Sequence, residues 1–311
     1  MNENNRRLHD LGQSLWVDNI TRGTLDDGTL KGYIEDLSVT GLTSNPTIFE
    51  KAIGGGNDYD AQIAELAASE SDPEQIFFEL AMADLRRAAD DFEEIHEKTD
   101  RVDGYVSLEV SPLLADDTEA TIAQAADLYE RIERKNVFIK IPGTPAGLPA
   151  IEETIFAGIP VNVTLLFSTD QYLAAADAYL KGIERRIEAG LNPAINSVAS
   201  LFISRWDAAV IDDVSPDLRA KLGIAVGKQA YAAYRELIAS DRVQILANQG
   251  GRIQRLLMAS TGTKDPEASD VLYIEALAAP NTVNTMPPAA LEAYADHGVT
   301  GAPIPPDGGD A

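Results

Sequence analysis

The stretch NVFIKIPGTPAGLPAIEETIFAGIPVNVTLLF, residues 136–167, carries the alternation that decides the fold. Its two ends, 136–141 and 159–167, are short apolar runs rich in β-branched residues, and its centre, 146–156, has a helical period. A strand, a helix and a second strand in that order make a βα unit, with both strands parallel in one sheet.

The same alternation extends outward in both directions. Strand-like runs also lie at 14–18, 40–45, 104–110, 194–200, 255–260 and 280–285, giving eight in all. Between them the spacing predicts helices over 26–38, 58–69, 117–134, 202–212 and 224–239, with a short one near 287–297. Two helices are especially clear. From Pro73 to Lys98, Ile76, Phe77, Leu80, Leu85, Ala88, Phe92 and Ile95 recur near the 3.6-residue period behind Asp72 as N-cap. A second runs from Ser168 or Thr169 through Tyr172, Tyr179, Ile183 and Ile187 to Gly190, which suits a left-handed cap. Eight strands, mostly each followed by a helix, predict a (β/α)8 TIM barrel, and 311 residues suit one. The rival, a doubly wound open sheet, lacks its dinucleotide and P-loop signatures; Thr261-Gly262-Thr263-Lys264 holds only part of the latter. Gly54-Gly55-Gly56 reads as a loop. The expected organisation is one barrel domain over 1–296 and a flexible Gly/Pro/Asp-rich tail over 297–311.

Composition removes several classes of function. Lys plus Arg is 25 against 50 Asp plus Glu, a net charge of −25, which repels nucleic acid and anionic membrane. No apolar run is long enough for a membrane span, and the first residues carry no secretory h-region, so the expected location is the cytoplasm. Cys is absent and His occurs only at 9, 96 and 297, so no metal site is expected.

In a barrel of this kind chemistry collects where the strands end, and here the apolar runs close on polar residues. Leu15-Trp16-Val17 closes on Asp18, Leu42-Thr43-Ser44 on Asn45, Ser107-Leu108 on Glu109 and Val137-Phe138-Ile139 on Lys140. Asn162 and Thr164 share one face of their strand, as do Ser107 and Glu109. Lys140 stands out among nine lysines because it interrupts a buried pattern. Burial disfavours an ammonium and frees the amine to attack a carbonyl; the plainer reading is a strand-end lysine snorkelling to solvent or paired with Glu109 or Asp18. The two carboxylates read equally as loop solvators. Together with the amine, however, they are what Schiff-base carbon–carbon chemistry requires. Ser200 and Arg205, beside a helix start after strand six, suit a phosphate, and Lys264, after the Ser260-Thr261-Gly262-Thr263 turn, adds charge from strand seven; alternatively, Arg205 is a surface cation stacked on Trp206.

These residues fall in six motifs that together resemble the bacterial transaldolases. They are Leu15-Trp16-Val17-Asp18-Asn19-Ile20, Gly41 to Phe49, Val106-Ser107-Leu108-Glu109-Val110, Phe138-Ile139-Lys140-Ile141-Pro142, Val161 to Ser168, and Ser200-Leu201-Phe202-Ile203-Ser204-Arg205. The resemblance covers about 8–290. It implies a lysine Schiff base on Lys140, with Glu109 and Thr164 handling its protons through a water and Asp18 as the base for carbon–carbon cleavage. It further implies Asn45, Asn162 and Ser200 on the sugar hydroxyls, with Phe202 beside them. Arg205 would take the phosphate, helped by Ser260 and Lys264. The implied reaction moves a dihydroxyacetone unit from sedoheptulose 7-phosphate or fructose 6-phosphate to an aldose phosphate, within the non-oxidative pentose phosphate pathway. Because the protonated imine is the electron sink, no cofactor is implied.

Two departures shape the expectations. Where many relatives carry a second phosphate-binding Arg after strand seven, this chain has Ser260-Thr261-Gly262-Thr263-Lys264. Relatives also continue past strand eight with helices over the barrel mouth, so a more open and wetter site is expected here, or a barrel that depends on a partner. The alternatives are an aldolase that hydrolyses the enamine, a weakly active sugar-phosphate-binding protein, and a nicotinamide-dependent oxidoreductase, for which nothing beyond the fold speaks. The expected partners are sugar phosphates, with the chain a monomer or homodimer.

Overall fold

The computed structural model describes residues 1–309. Eight strands, β1 (Gln13–Asp18), β2 (Val39–Thr43), β3 (Val106–Glu109), β4 (Val137–Pro142), β5 (Val161–Leu166), β6 (Ser197–Phe202), β7 (Gln254–Ala259) and β8 (Thr282–Met286), close into a barrel in sequence order. Neighbouring strands are parallel, including the closing pair of β1 and β8. This is the (β/α)8 barrel expected from the alternation. Among the described residues no helix is long and apolar enough to cross a membrane.

The outer helices follow their local signals. Pro73–Lys98 begins where the Asp72 side chain accepts from the Glu74 N–H, and it buries Phe78, Leu85, Ala88 and Phe92. Thr169–Glu188 begins where Ser168 accepts from the Gln171 N–H, and Gly190 follows with φ +68°. The helix expected over 26–38 is instead two, Arg22–Asp26 and Thr29–Leu37, because Gly28 takes a left-handed φ of 80° that a continuous helix excludes. The run expected over 194–200 is displaced: β6 starts at Ser197 and extends to Phe202, which puts Phe202 on the barrel rim and delays the next helix to Ser204–Val210.

Inside the barrel the period of two sorts each strand into layers. Trp16, Tyr105, Phe138, Val198, Leu257 and Val283 fill the middle, with the Tyr105 and Phe138 rings stacked at 4.0 Å. Below them Asp103 accepts from Trp16 Nε1 at 2.7 Å, from Thr40 Oγ1 at 2.9 Å and from Ser14 Oγ, while Arg255 Nη1 donates to Ser14 Oγ at 2.7 Å. The N-terminal end is thus closed by a satisfied polar network. Residues two positions further along the strands, among them Asp18, Lys140, Ser200 and Thr285, are thereby lifted to the C-terminal rim, where Thr43, Glu109 and Thr164 join them. Gly41 permits this layering, since a Cβ there would come within 2.5 Å of the Trp16 ring. Gly41→Ala is expected to overpack the interior at a cost of about 1–3 kcal/mol, read as a lowered thermal midpoint.

In the C-terminal segment, Ile304 is buried and its N–H donates to Ala278 O at 2.9 Å, while Tyr294 Oη and Thr300 Oγ1 lie 2.8 Å apart. Residues 310 and 311 of the expected tail lie outside the described residues.

Candidate active site

The rim residues surround a cavity lined by Asp18, Asn45, Lys140, Thr164, Ser200, Phe202, Arg205 and Ser260 together with Thr43, Ala259 and Thr285. Glu109 lines the outer part of the opening, where Asn45, Lys140, Thr164, Phe202 and Arg205 meet Lys51. Asn162 sits one layer deeper, and the exposed Lys264 is not among the lining residues of either part.

Lys140 is only 6% exposed. Its Nζ lies 2.9 Å from Glu109 Oε2 and donates to Ser44 O at 3.2 Å. The register pairs Glu109 with Lys140 and Lys140 with Asn162, so three inward side chains stand in a row across β3, β4 and β5. Lys140 therefore faces the barrel interior rather than snorkelling outward, and its ion pair with Glu109 is part of the cavity wall.

Asp18 lies on β1. Thr43 Oγ1 donates to its Oδ1 at 2.7 Å. Burial raises the Asp18 carboxyl above the usual aspartate range, against the opposing pull of Lys140, the Thr43 hydrogen bond and Lys264. The side chain is partly exposed to the cavity, but the barrel walls around it replace bulk water, which accounts for the direction.

The neutral polar groups are placed by hydrogen bonds. Ser200 Oγ donates to Asn162 Oδ1 at 2.7 Å, and Asn162 Nδ2 donates to Ser107 Oγ at 3.1 Å. Asn45 caps the helix Pro46–Gly54, its Oδ1 accepting from the Ile48 N–H at 3.1 Å, which leaves its amide hydrogens for the cavity. The Thr164 hydroxyl is buried and has no protein partner, so its hydrogen bond falls to a water or a bound molecule. Thr164 precedes Leu165, a leucine with φ +59° at a register shift in β5, and Ser260 after β7 has φ +55°. Left-handed backbone at non-glycine residues costs about 1–2 kcal/mol each and here sits at the mouth of the cavity.

Arg205 projects from the helix Ser204–Val210 into the opening. It is not stacked on its neighbour: Trp206 donates Nε1–H to Phe167 O at 2.8 Å and meets the Phe167 ring edge-on at 6.5 Å. Phe167 in turn lies 5.3 Å from the Phe202 ring, forming an apolar wall at the mouth. The backbone donors at this helix start are largely committed, Ser204 N–H to Ser260 O and Trp206 N–H to Ile203 O. The capacity to grip an anion therefore rests on the guanidinium more than on the helix terminus.

Sequence reasoning missed Thr43 and Thr285. The signal was present for both, since Gly41 and Thr43, and likewise Val283 and Thr285, are two apart on one strand face. Among the described residues no group of three or more His, Asp or Glu side chains is arranged to hold a metal ion.

The chain matches the family described as Transaldolase/Fructose-6-phosphate aldolase over residues 15–307. It is 48% identical over 302 residues to "Transaldolase" of Saccharopolyspora erythraea, covering 95% of this chain and 82% of that protein. It is 47% identical over 312 residues to "Transaldolase" of Mycolicibacterium smegmatis, covering 97% and 84% respectively. Against "Transaldolase 2" of Nostoc sp. the identity is 45% over 307 residues, covering 93% and 81%. A match across nearly the whole barrel, joined to relatives this similar over nearly the whole chain, makes this protein a member of the transaldolase/fructose-6-phosphate aldolase family.

Proposed function

We propose that the protein is a transaldolase, transferring a dihydroxyacetone unit from sedoheptulose 7-phosphate or fructose 6-phosphate to glyceraldehyde 3-phosphate or erythrose 4-phosphate through a Schiff base on Lys140. The observation that carries this reading is a buried amine, 2.9 Å from one carboxylate, opening on a cavity that also holds a second carboxylate with a raised titration point.

Each step has a group within reach. Lys140 Nζ, after giving a proton to Glu109, adds to the C2 carbonyl of the ketose. The carbinolamine hydroxyl then leaves as water, with Glu109 returning the proton, and a protonated imine remains. A water between Glu109 and the unpartnered Thr164 hydroxyl suits that transfer. Asp18 takes the C4 hydroxyl proton, the C3–C4 bond breaks, the aldose phosphate leaves, and the electron pair enters the imine as an enamine. Addition of the enamine carbon to the acceptor aldehyde reverses the sequence, with Asp18 returning its proton to the new hydroxyl. Asn45 and Ser200 face the three retained carbons, with Asn162 beneath them holding the Ser200 hydroxyl in place. Arg205 supplies a planar cation for the phosphate of donor and acceptor, and Ser260 adds a hydroxyl. Lys264 contributes charge at longer range, consistent with its pull on Asp18. The barrel over 1–296 is the catalytic domain in this reading.

Transfer and simple cleavage are separated by one assay. With fructose 6-phosphate and erythrose 4-phosphate together, sedoheptulose 7-phosphate and glyceraldehyde 3-phosphate are expected, with little free dihydroxyacetone. Free dihydroxyacetone released at the same rate with and without the acceptor would instead mark an aldolase.

A further inference from the structure

We propose that Thr285 is a positioning residue for the proton transfer at Asp18, acting through Thr43 to fix which carboxylate oxygen receives the substrate proton. The proposal rests on the reading of Asp18 as the base.

The geometry is a chain of hydroxyls across the barrel seam. β1 lies between β2 and β8, with Asp18 registered against Thr43 on one side and Trp16 against Thr285 on the other. Thr43 Oγ1 donates to Asp18 Oδ1 at 2.7 Å, and Thr285 Oγ1 lies 2.6 Å from Thr43 Oγ1. A hydroxyl has a single hydrogen. That of Thr43 is on Asp18, so the Thr285 hydrogen must point to Thr43 Oγ1, and the chain runs in one direction, Thr285 to Thr43 to Asp18. Both threonines are buried, so little water competes for these bonds. In such a chain each bond polarises the next and strengthens the final donation to the carboxylate.

Oδ1 is therefore already occupied by a donor, and Oδ2 is the oxygen left to take a proton from a substrate hydroxyl. Removing the Thr285 hydroxyl leaves Thr43 Oγ1 without a donor and weakens its hold on Asp18. The other charged groups acting on Asp18 are Lys140 on β4 and Lys264 after β7, while β2 and β8 present these two hydroxyls, which do not titrate in the working range. A base must be ionised to work, and a carboxylate less well held by its donor stays protonated to higher pH. The acid limb of kcat/KM should then move upward.

The test compares pH profiles of kcat/KM for dihydroxyacetone transfer in the native protein, Thr285→Val and Thr285→Ser. For Thr285→Val the expected result is an acid limb moved up by about half a pH unit or more, kcat lowered about three- to tenfold and KM within about twofold. Thr285→Ser should restore both. In an Asp18→Asn background, Thr285→Val should cause no further loss. An unmoved limb, a loss confined to KM, or an equal loss in the Asp18→Asn background would overturn the proposal while leaving Asp18 as the base. Native activity in Asp18→Asn alone would remove the base reading and this proposal with it. Should Thr285→Val fail to fold, Thr285→Ala reads the same limb.

Discussion

Lys140→Met is expected to lower kcat by at least about 10⁴-fold, the scale on which loss of a covalent nucleophile registers. The Glu109, Asp18 and Thr164 side chains beside it carry no amine, and the other amine at the opening, Lys51, is exposed on the outer part of the mouth and does not line the inner cavity that holds Asp18. The substitution also carries a stability signature. It leaves Glu109, 12% exposed, without the cation 2.9 Å away, and breaking a buried pair on one side typically costs about 3–5 kcal/mol, with the partial exposure of Glu109 placing the cost at or below the low end. Lys140→Met combined with Glu109→Gln should recover most of that loss in thermal midpoint and none of the activity. Activity retained in Lys140→Met would end the Schiff-base account outright.

Asp18→Asn is expected to lower transfer by about 10²–10⁴-fold and to raise the thermal midpoint at neutral pH. The sign of the stability effect follows from the direction of the titration shift. Burial raises the Asp18 carboxyl in the folded protein above its unfolded value. The associated stability is fully present below the unfolded pKa and is lost as pH rises through the folded one. At neutral pH the ionised carboxylate is therefore a net cost to the fold, and a neutral isostere that keeps an oxygen for Thr43 relieves it. The variant also divides the reaction. Imine formation depends on Lys140 and Glu109 and should survive, whereas cleavage should not. Borohydride applied to Asp18→Asn with fructose 6-phosphate should trap the whole six-carbon ketose phosphate, where the native protein should yield a three-carbon fragment. A three-carbon adduct at the native rate in Asp18→Asn would show that the base lies elsewhere.

Much of this site was legible because a barrel strand writes its inward face at every second residue. Phe138 and Lys140, Asn162 and Thr164, and Ser107 and Glu109 each follow that period, and in each case the second residue stands at the rim. What escaped was set by contacts between strands distant in sequence. Thr285 meets Thr43 only because β8 closes on β1, and 242 positions separate the two. The depth of Asn162, one layer under the cavity, depends on the stagger of β5 against β6, which no single strand encodes. The break at Gly28 shows a different limit: a helical period in side chains passes over a residue whose backbone is left-handed. Trp206 beside Arg205 suggested stacking by adjacency, yet the short helix turns the two apart and commits the indole to Phe167.

The central claim is that Lys140 forms a covalent imine with a ketose phosphate and retains three of its carbons. The most direct measurement is borohydride reduction of the native protein in the presence of fructose 6-phosphate, followed by peptide mass mapping with Lys140→Met as the control. The account predicts a reduced three-carbon adduct on the peptide that contains Lys140 and none in the control. A folded protein that turns over substrate without any lysine adduct, or an adduct on a different lysine, would contradict it.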